Sequence, residues 1–558
     1  MRRSDENHYG ASWGPSHQHI HLPRRKRIWP WLLLAWPVAF GMIASHGNVL
    51  ASVWMLVDVL GWPGLLALCC WLTYKAWRNG HLARLQRLLR AYAEARRERE
   101  QAAHVEATRS LPAPSAAAVA RRRIVEGGGG ALLGRYPDGR WAVADAENAV
   151  LVLGPPRSGK TRAVVIPSLR TAPGPAVSTS TKTDVLAATL KGRSDIGEVW
   201  LYDLNGREQP PPGVRVLRWS PVCAARTWDQ ALLTARAMSA AAGTGKGTSH
   251  EDHWRERASA LLAPLLHAAA LSEQPITSVL SWVLRVDLDT PAHVLEDKGA
   301  EIPCDVLAGI ARTEQRERSS IFSAAAGTLA AYNSDAARAT ASETNFDPDA
   351  FPASTDTIYI TAPAHRQAIA APLVVGLLEQ IRHATYAQAE ALRADGRPAV
   401  FFCLDELANI APIHDLPALL SEAGGQHLHI LACLQDLSQA RARWGAETAD
   451  GLLTLFQTKL ILKGISDPKT LEAISTILGE YDRQTASHSQ GEAWDPTMQR
   501  IPGINGGWRD NDTITHATQR QRVLSPGEIA QLPDGRALLL EGARWELVGA
   551  AHRSPHGA

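Results

Sequence analysis

The sequence predicts an α/β protein: a nucleotide-binding sheet core carrying an all-α insertion, preceded by two membrane-spanning helices. Three observations lead there. A short apolar run, Asn148 to Leu153, opens into Gly154-Pro155-Pro156-Arg157-Ser158-Gly159-Lys160-Thr161. A second apolar run, Ala399 to Leu404, ends in Asp405 and Glu406. Two long, charge-poor segments stand near the front of the chain. The length of 558 residues exceeds what one core organises, so several domains are expected. Charged residues make up 20% and hydrophobic residues 45%, a globular composition. A net charge of +2 argues against binding nucleic acid by bulk charge, so any basic face must be local.

The first 27 residues read as a polar tail; its His17, His19 and His21 are taken as part of that tail rather than as metal ligands. Residues 28–78 read as a two-span anchor. Ile28 to Ser45 is uncharged and long enough to cross a hydrocarbon core of about 30 Å. Val53 to Tyr74 carries only Asp58, near one end of the span. Arg24 to Arg27 precede the first span and Lys75, Arg78, Arg84 and Arg87 follow the second, while the loop between has no Lys or Arg. The positive-inside rule then places both ends in the cytoplasm, as a multi-pass protein of the cytoplasmic (inner) membrane. A cleaved signal peptide is the alternative for the first span; the second span and its basic flank favour the anchor. Residues 79–120 read as a helical stalk and a Pro/Ala linker.

The loop from Gly154 to Thr161 has the GxxxxGK[ST] spacing that holds nucleotide phosphates. Each residue type has a reason. Glycines let main-chain N–H groups turn towards the β-phosphate. A helix expected from Gly159 adds its positive end. Lys160 offers a point charge to the β- and γ-phosphates, and Thr161 a hydroxyl ligand to Mg²⁺. The whole run Gly154, Pro155, Pro156, Arg157, Ser158, Gly159, Lys160 and Thr161 is therefore the expected ATP-binding loop. Hydrolysis needs a further acid, and Asp405 and Glu406 stand where a strand ends: Asp405 to hold Mg²⁺, Glu406 to polarise the attacking water. A third apolar run ends at Gln435, placed to touch the γ-phosphate and report it to the substrate side.

Residues 228–345 turn alanine-rich with apolar helical faces and read as an all-α domain inserted into the motor, which comprises 121–227 and 346–558. The GTGKGT of Gly243 to Thr248 lacks the phosphate-loop register and a preceding strand. Asp482 to Gln521 is polar and glycine-rich and reads as a loop whose Arg500, Arg509 and Arg520, with Arg522 just beyond, are available to phosphates. The six cysteines show no metal-ligand spacing and read as reduced structural residues.

Several of these stretches together resemble the type IV secretion coupling proteins of the TraG/TraD kind. The carriers are "STSTKTDVL" (Ser178 to Leu186), "VRVLRWSPV" (Val214 to Val222), "FDPDAFPASTDTIYITAP" (Phe346 to Pro363) and above all "LDELANIAPIHDLPALLSEAGGQHLHILACLQDLSQ" (Leu404 to Gln439). "KLILKGISDPKTLEAISTILGE" (Lys459 to Glu480) and "RVLSPGEIAQLPDGRALLL" (Arg522 to Leu540) resemble the closing motifs. The resemblance implies a RecA-like motor in a homo-hexameric ring. It would couple single-stranded DNA, with its bound relaxase, to a type IV export channel at the expense of ATP. One departure stands out. Members of the family often carry an arginine eleven residues before the sensing glutamine; here that position is Gly424. Arg441, Arg443 and Lys463 lie nearby in sequence as other donors of charge, and nothing in the sequence chooses among them. Two other readings stay open: an FtsK-like translocase on double-stranded DNA, and a docking receptor for protein substrates that uses nucleotide to assemble.

Overall fold

The computed structural model describes residues 130–204, 210–243, 249–495 and 507–550, together with Trp71. The chain divides into two compact units, Met1–Ala113 and Pro114–Ala558. Apart from Trp71, the described residues belong to the second. Apart from Trp71, in the expected second span, the expected tail, membrane spans, stalk and linker lie outside the described residues; among those described, no helix is long and apolar enough to cross a membrane.

The body is built on one twelve-stranded mixed sheet. Its strands are β1 (Leu132–Arg135), β2 (Trp141–Val143), β3 (Val150–Leu153), β4 (Ala176–Ser180), β5 (Val199–Asp203), β6 (Val214–Val216), β7 (Thr357–Thr361), β8 (Val400–Leu404), β9 (Leu428–Leu434) and β10 (Thr458–Leu462). A separate pair, β11 (Glu480–Asp495) and β12 (Gly507–Arg522), precedes β13 (Arg536–Glu541) and β14 (Arg544–Gly549). The sheet order is β2-β1-β14-β13-β10-β3-β9-β8-β4-β7-β5-β6. From β10 to β6 every neighbouring pair is parallel; β13, β14, β1 and β2 extend one side antiparallel.

The parallel strands β3, β4, β5, β7, β8, β9 and β10 are buried along their whole length. With both faces covered, β3 and β8 read as unbroken apolar runs rather than alternations, while β4 buries Ser178, Thr179 and Ser180. Helices follow the strands and return the chain, so the carboxyl ends of the central strands open on one side of the sheet.

Between β6 and β7 the chain makes a long helical excursion, from Trp228–Ala241 through Ser249–Leu271 to Gln315–Thr328 and Asp335–Ala339. Thr227 caps its first helix, its hydroxyl accepting from the Gln230 amide. The excursion shares one continuous hydrophobic core with the sheet: Met238, Leu261 and Phe322 belong to the same buried cluster as Leu153 and Leu434. The 28-residue helix Gln367–Ala394 forms the seam. At its Gly376 a Cβ would stand 3.0 Å from Met238 and 3.1 Å from Trp219, so glycine lets the two layers approach.

Asp482 to Gln521, expected as a loop, is corrected here. Most of it forms β11 and β12, an antiparallel ribbon in continuous register from Glu480↔Arg522 to Asp495↔Gly507. Its sequence is mostly polar, so no apolar alternation announces it.

Candidate nucleotide site

β3 runs into the phosphate loop, and the loop into a helix that opens with a π turn at Thr161–Val165 and continues as Ile166–Thr171. The helix begins close to the expected Gly159; π turns of this kind often mark functional sites. The loop is shaped by what cannot be there. A Cβ on Gly154 would stand 2.6 Å from Ser158 Oγ and 3.0 Å from Leu462, so only glycine fits. Gly159 takes φ 95° and Arg157 φ 67°, a left-handed backbone that a bulky residue rarely adopts. Lys160 is 7% exposed, and its ammonium donates to the carbonyls of Gly154 and Pro155 (3.2 Å to the latter). The loop thus folds round its own lysine. Ser158 Oγ is buried with no hydrogen-bond partner among the described residues. Glycine cradle, orphaned hydroxyl and central ammonium fit a polyphosphate.

Sheet register brings the acids to this loop. Leu153 of β3 pairs with Leu434 of β9, and Leu404 of β8 with Ala432 of β9. Gly154, Gln435 and Asp405 therefore leave adjacent strands at one edge. Thr161 Oγ1 donates to Asp405 Oδ2 at 2.9 Å, so the two residues expected to share Mg²⁺ are in contact. Asp405 is 6% exposed. Burial raises its carboxyl above the usual range, as do Glu406 and Asp184; the Thr161 bond and Lys160 pull the other way. A divalent cation would favour the ionised form.

Glu406 sits at φ 60°, ψ 48°, left-handed for a non-glycine residue, and its carboxylate accepts from Asn409 Nδ2 at 3.1 Å. Strain of this kind costs of order 1–3 kcal/mol and gathers at functional positions. Gln435 closes the edge; its main-chain N–H donates to Gln439 Oε1 at 2.9 Å.

Three supporting residues escaped the sequence. Thr179 Oγ1 donates to the Asp405 carbonyl at 2.8 Å. Asn409 and Gln439 hold Glu406 and Gln435 as just described. Each acts on a partner whose place only the folded register reveals, though Asn409 and Gln439 follow their partners at three- and four-residue spacings that a helical turn brings together.

Gly424 has a local explanation. A Cβ there would lie 2.1 Å from the Glu147 carbonyl oxygen, so the position is closed to any side chain, arginine included. The three sequence-near substitutes are all engaged. Arg441 pairs with Asp467 and Lys463 with Asp534. Arg443 donates to the Gly243 and Ala241 carbonyls at 2.7 and 2.9 Å. Of the four arginines expected to face phosphates, Arg520 lies 3.9 Å from Asp482 and Arg522 is 2.7 Å from Glu472. Arg500 lies outside the described residues, and nothing is described of the Arg509 side chain.

Residues 119–544 match the family model of the type IV secretory system conjugative DNA transfer proteins. The chain belongs to that family. A comparison with curated proteins found no match. Among solved structures, the family chain is similar to the bacterial conjugative coupling protein TrwBdeltaN70 in its unbound form. The TM-score is 0.56 at 19% identity, covering 78% of this chain and 92% of that one. It is likewise similar to the plasmid coupling protein TrwB in complex with the non-hydrolysable ATP analogue ADPNP, with TM-score 0.54 at 20% identity over 73% and 86% of the two chains. A third similar structure is TrwB in complex with ADP and Mg²⁺, with TM-score 0.54 at 19% identity over the same shares. At these identities the likeness establishes a shared mixed α/β fold.

Proposed function

We propose that this member of the conjugative DNA transfer family is a membrane-anchored ATPase. It would bring single-stranded DNA, with its bound relaxase, to a type IV export channel and drive transfer by hydrolysing ATP. The observation that carries the reading is the contact between Thr161 and Asp405, which joins the phosphate loop to the acid strand at the open edge of a parallel sheet. Proteins of the same fold are described with ADPNP and with ADP and Mg²⁺, which supports ATP and Mg²⁺ as this chain's ligands.

In this reading Gly154 to Thr161 wrap the phosphates and Lys160 turns its ammonium from the loop carbonyls to the β- and γ-phosphates. Thr161 and Asp405 would hold Mg²⁺, which when bound offsets phosphate charge. Glu406 accepts the proton of the attacking water, and Gln435 senses the γ-phosphate. The motor would comprise 121–227 and 346–558, with 228–345 as the all-α domain. Residues 28–78 would anchor it in the cytoplasmic membrane with both termini inside, and six copies would form the ring.

A second reading is favoured by the closed position at Gly424 and the engaged Arg441, Arg443 and Lys463. With no sequence-near donor free, turnover would be slow and docking of substrate the main task. ATP hydrolysis by the full-length protein in lipid decides, measured alone, with single-stranded DNA and with duplex, against Lys160→Ala. Stimulation by single strands that Lys160→Ala abolishes supports the motor. Preferential stimulation by duplex moves the reading to a double-strand translocase. Substrate binding without stimulation supports docking.

A further inference from the structure

The helix Leu437–Trp444 touches Gln435, the segment that follows Glu406, and the helical excursion. At its start, Gln439 Oε1 accepts the Gln435 amide at 2.9 Å. At its end, the Trp444 indole N–H donates to the Ile413 carbonyl at 2.7 Å, fixing the segment that follows Glu406 and Asn409. Between them Arg443 reaches out of the motor core. Its guanidinium donates to the carbonyls of Ala241 and Gly243, at the carboxyl end of the helix Trp228–Ala241. Arg441, on the same helix, binds Asp467, and the Leu437 amide donates to Thr470 Oγ1 at 3.1 Å. An eight-residue helix is thereby fastened at both ends and on two sides.

The fastening borders a cleft of about 350 Å³ whose lining includes Gly243, Gln367, Asn409, Gln439 and Arg443. Two of these residues hold Glu406 and Gln435 directly. Arg443 is half-buried, and desolvation, with Arg255 nearby, lowers its guanidinium to about 10. A cation in that state is held by the carbonyls it caps, since no carboxylate is bonded to it among the described residues.

We propose that Arg443 is a positioning residue that couples the seat of the helical excursion to the setting of Glu406 and Gln435. Movement of the helix Trp228–Ala241 pulls on Arg443 and so on its helix. Gln439 then shifts the Gln435 amide, and Trp444 shifts the turn on which Asn409 holds Glu406. Nucleotide at the phosphate loop sends the same change outward, because coupling between two sites is reciprocal. This rests on the nucleotide-site reading above.

The test is hydrogen exchange in the full-length protein in lipid, with and without ADPNP and Mg²⁺. Nucleotide should protect 154–161 and change exchange over 236–243 and over 404–413. In Arg443→Met the change over 236–243 should vanish while 154–161 stays protected at saturating nucleotide. Arg443→Lys, which keeps charge but cannot span both carbonyls, should reproduce the loss. Trp444→Phe should retain the change over 236–243 and lose the one over 404–413. In turnover assays Arg443→Met should lower kcat and leave KM unchanged, a split that mere helix capping would not give. An undiminished change over 236–243 in both Arg443 variants overturns the proposal, as does no change in the parent when 154–161 is protected. Lack of protection at 154–161 in the parent sinks the nucleotide-site reading itself, and this coupling with it.

Discussion

At the carboxyl ends of the central strands, Lys160, Thr161, Asp405 and Glu406 converge from separate elements. At the amino ends of the same strands, His429, Lys459 and Arg193 are buried against main-chain carbonyls, and Arg193 also donates to the Thr357 hydroxyl at 2.6 Å. His429 Nδ1 bonds the Ala146 carbonyl at 3.0 Å. Lys459 donates to Phe456 O at 2.7 Å, and Arg193 donates to the carbonyls of Ala172, Gly174 and Thr355 at 2.6, 2.7 and 3.2 Å. One sheet thus buries polar groups in two ways. At the amino end they knit loops together. At the carboxyl end Thr161 and Asp405 bond each other from separate elements, Lys160 is held by the carbonyls of its own loop, the backbone at Arg157 and Glu406 is left-handed, and Ser158 Oγ is left open. His429 Nε2 also lacks a partner among the described residues, but its ring is buried against Phe401; the second arrangement gathers acids, a hydroxyl and an ammonium that suit a charged ligand.

Substitutions can break this contrast from either side. The largest effect belongs to the carboxyl end. Glu406→Gln should lower kcat by about 10²–10⁴ and leave nucleotide binding intact, as read by turnover and by equilibrium binding. Normal hydrolysis by this variant would remove Glu406 from its role.

Next comes the amino end, through pH. Burial lowers His429 to about 4, and its ring is stacked on Phe401 with centroids 5.1 Å apart. The folded state therefore refuses a proton that the unfolded chain accepts below about 6.5. Stability conferred by the neutral ring is complete above that pH and is lost as pH falls towards 4. The loss is of order 3 kcal/mol. Denaturant midpoints between pH 7 and 4 should show it, and His429→Leu should flatten that limb. An unchanged slope would mean that another group carries the acid sensitivity.

Gly424→Arg comes third. It should destabilise by about 1–3 kcal/mol through the clash with Glu147 and leave turnover no faster. Faster turnover would show that the Glu147 segment yields and that the arginine supplies charge to a nucleotide site. The smallest effect should come from Thr179→Val, which removes one buried bond to the Asp405 carbonyl and costs about 1 kcal/mol in thermal or denaturant unfolding.

What could be read from sequence divides along the same line. The phosphate loop, Asp405, Glu406 and Gln435 announce themselves because each follows an apolar run at a strand end. Of the parallel core, β3, β8 and β9 were legible for the same reason; β4, with Ser178, Thr179 and Ser180, was not. Thr179, Asn409 and Gln439 were not named, because their roles depend on neighbours set by register and by the first turn of a helix. The closed position at Gly424 depends on a main-chain carbonyl far away in sequence. The ribbon of β11 and β12 was misread as a loop: its sequence is mostly polar with no regular apolar alternation, so periodicity carried no signal.

That ribbon bears on how the protein behaves in the hand. Its strands have 16 residues each, about 50 Å at the usual rise. No third strand joins them among the described residues. Its feet are clamped, Arg522 to Glu472 and Ser475 Oγ to the Leu524 carbonyl at 2.7 Å, with Ser525 and Glu528 forming a capping box just beyond. The rest offers two long rows of main-chain donors and acceptors, a template for self-association during purification. Shortening it from both sides while keeping the feet, for instance by joining Gln484 to Thr518 through a two-residue turn, would remove most of that liability and leave the nucleotide edge untouched.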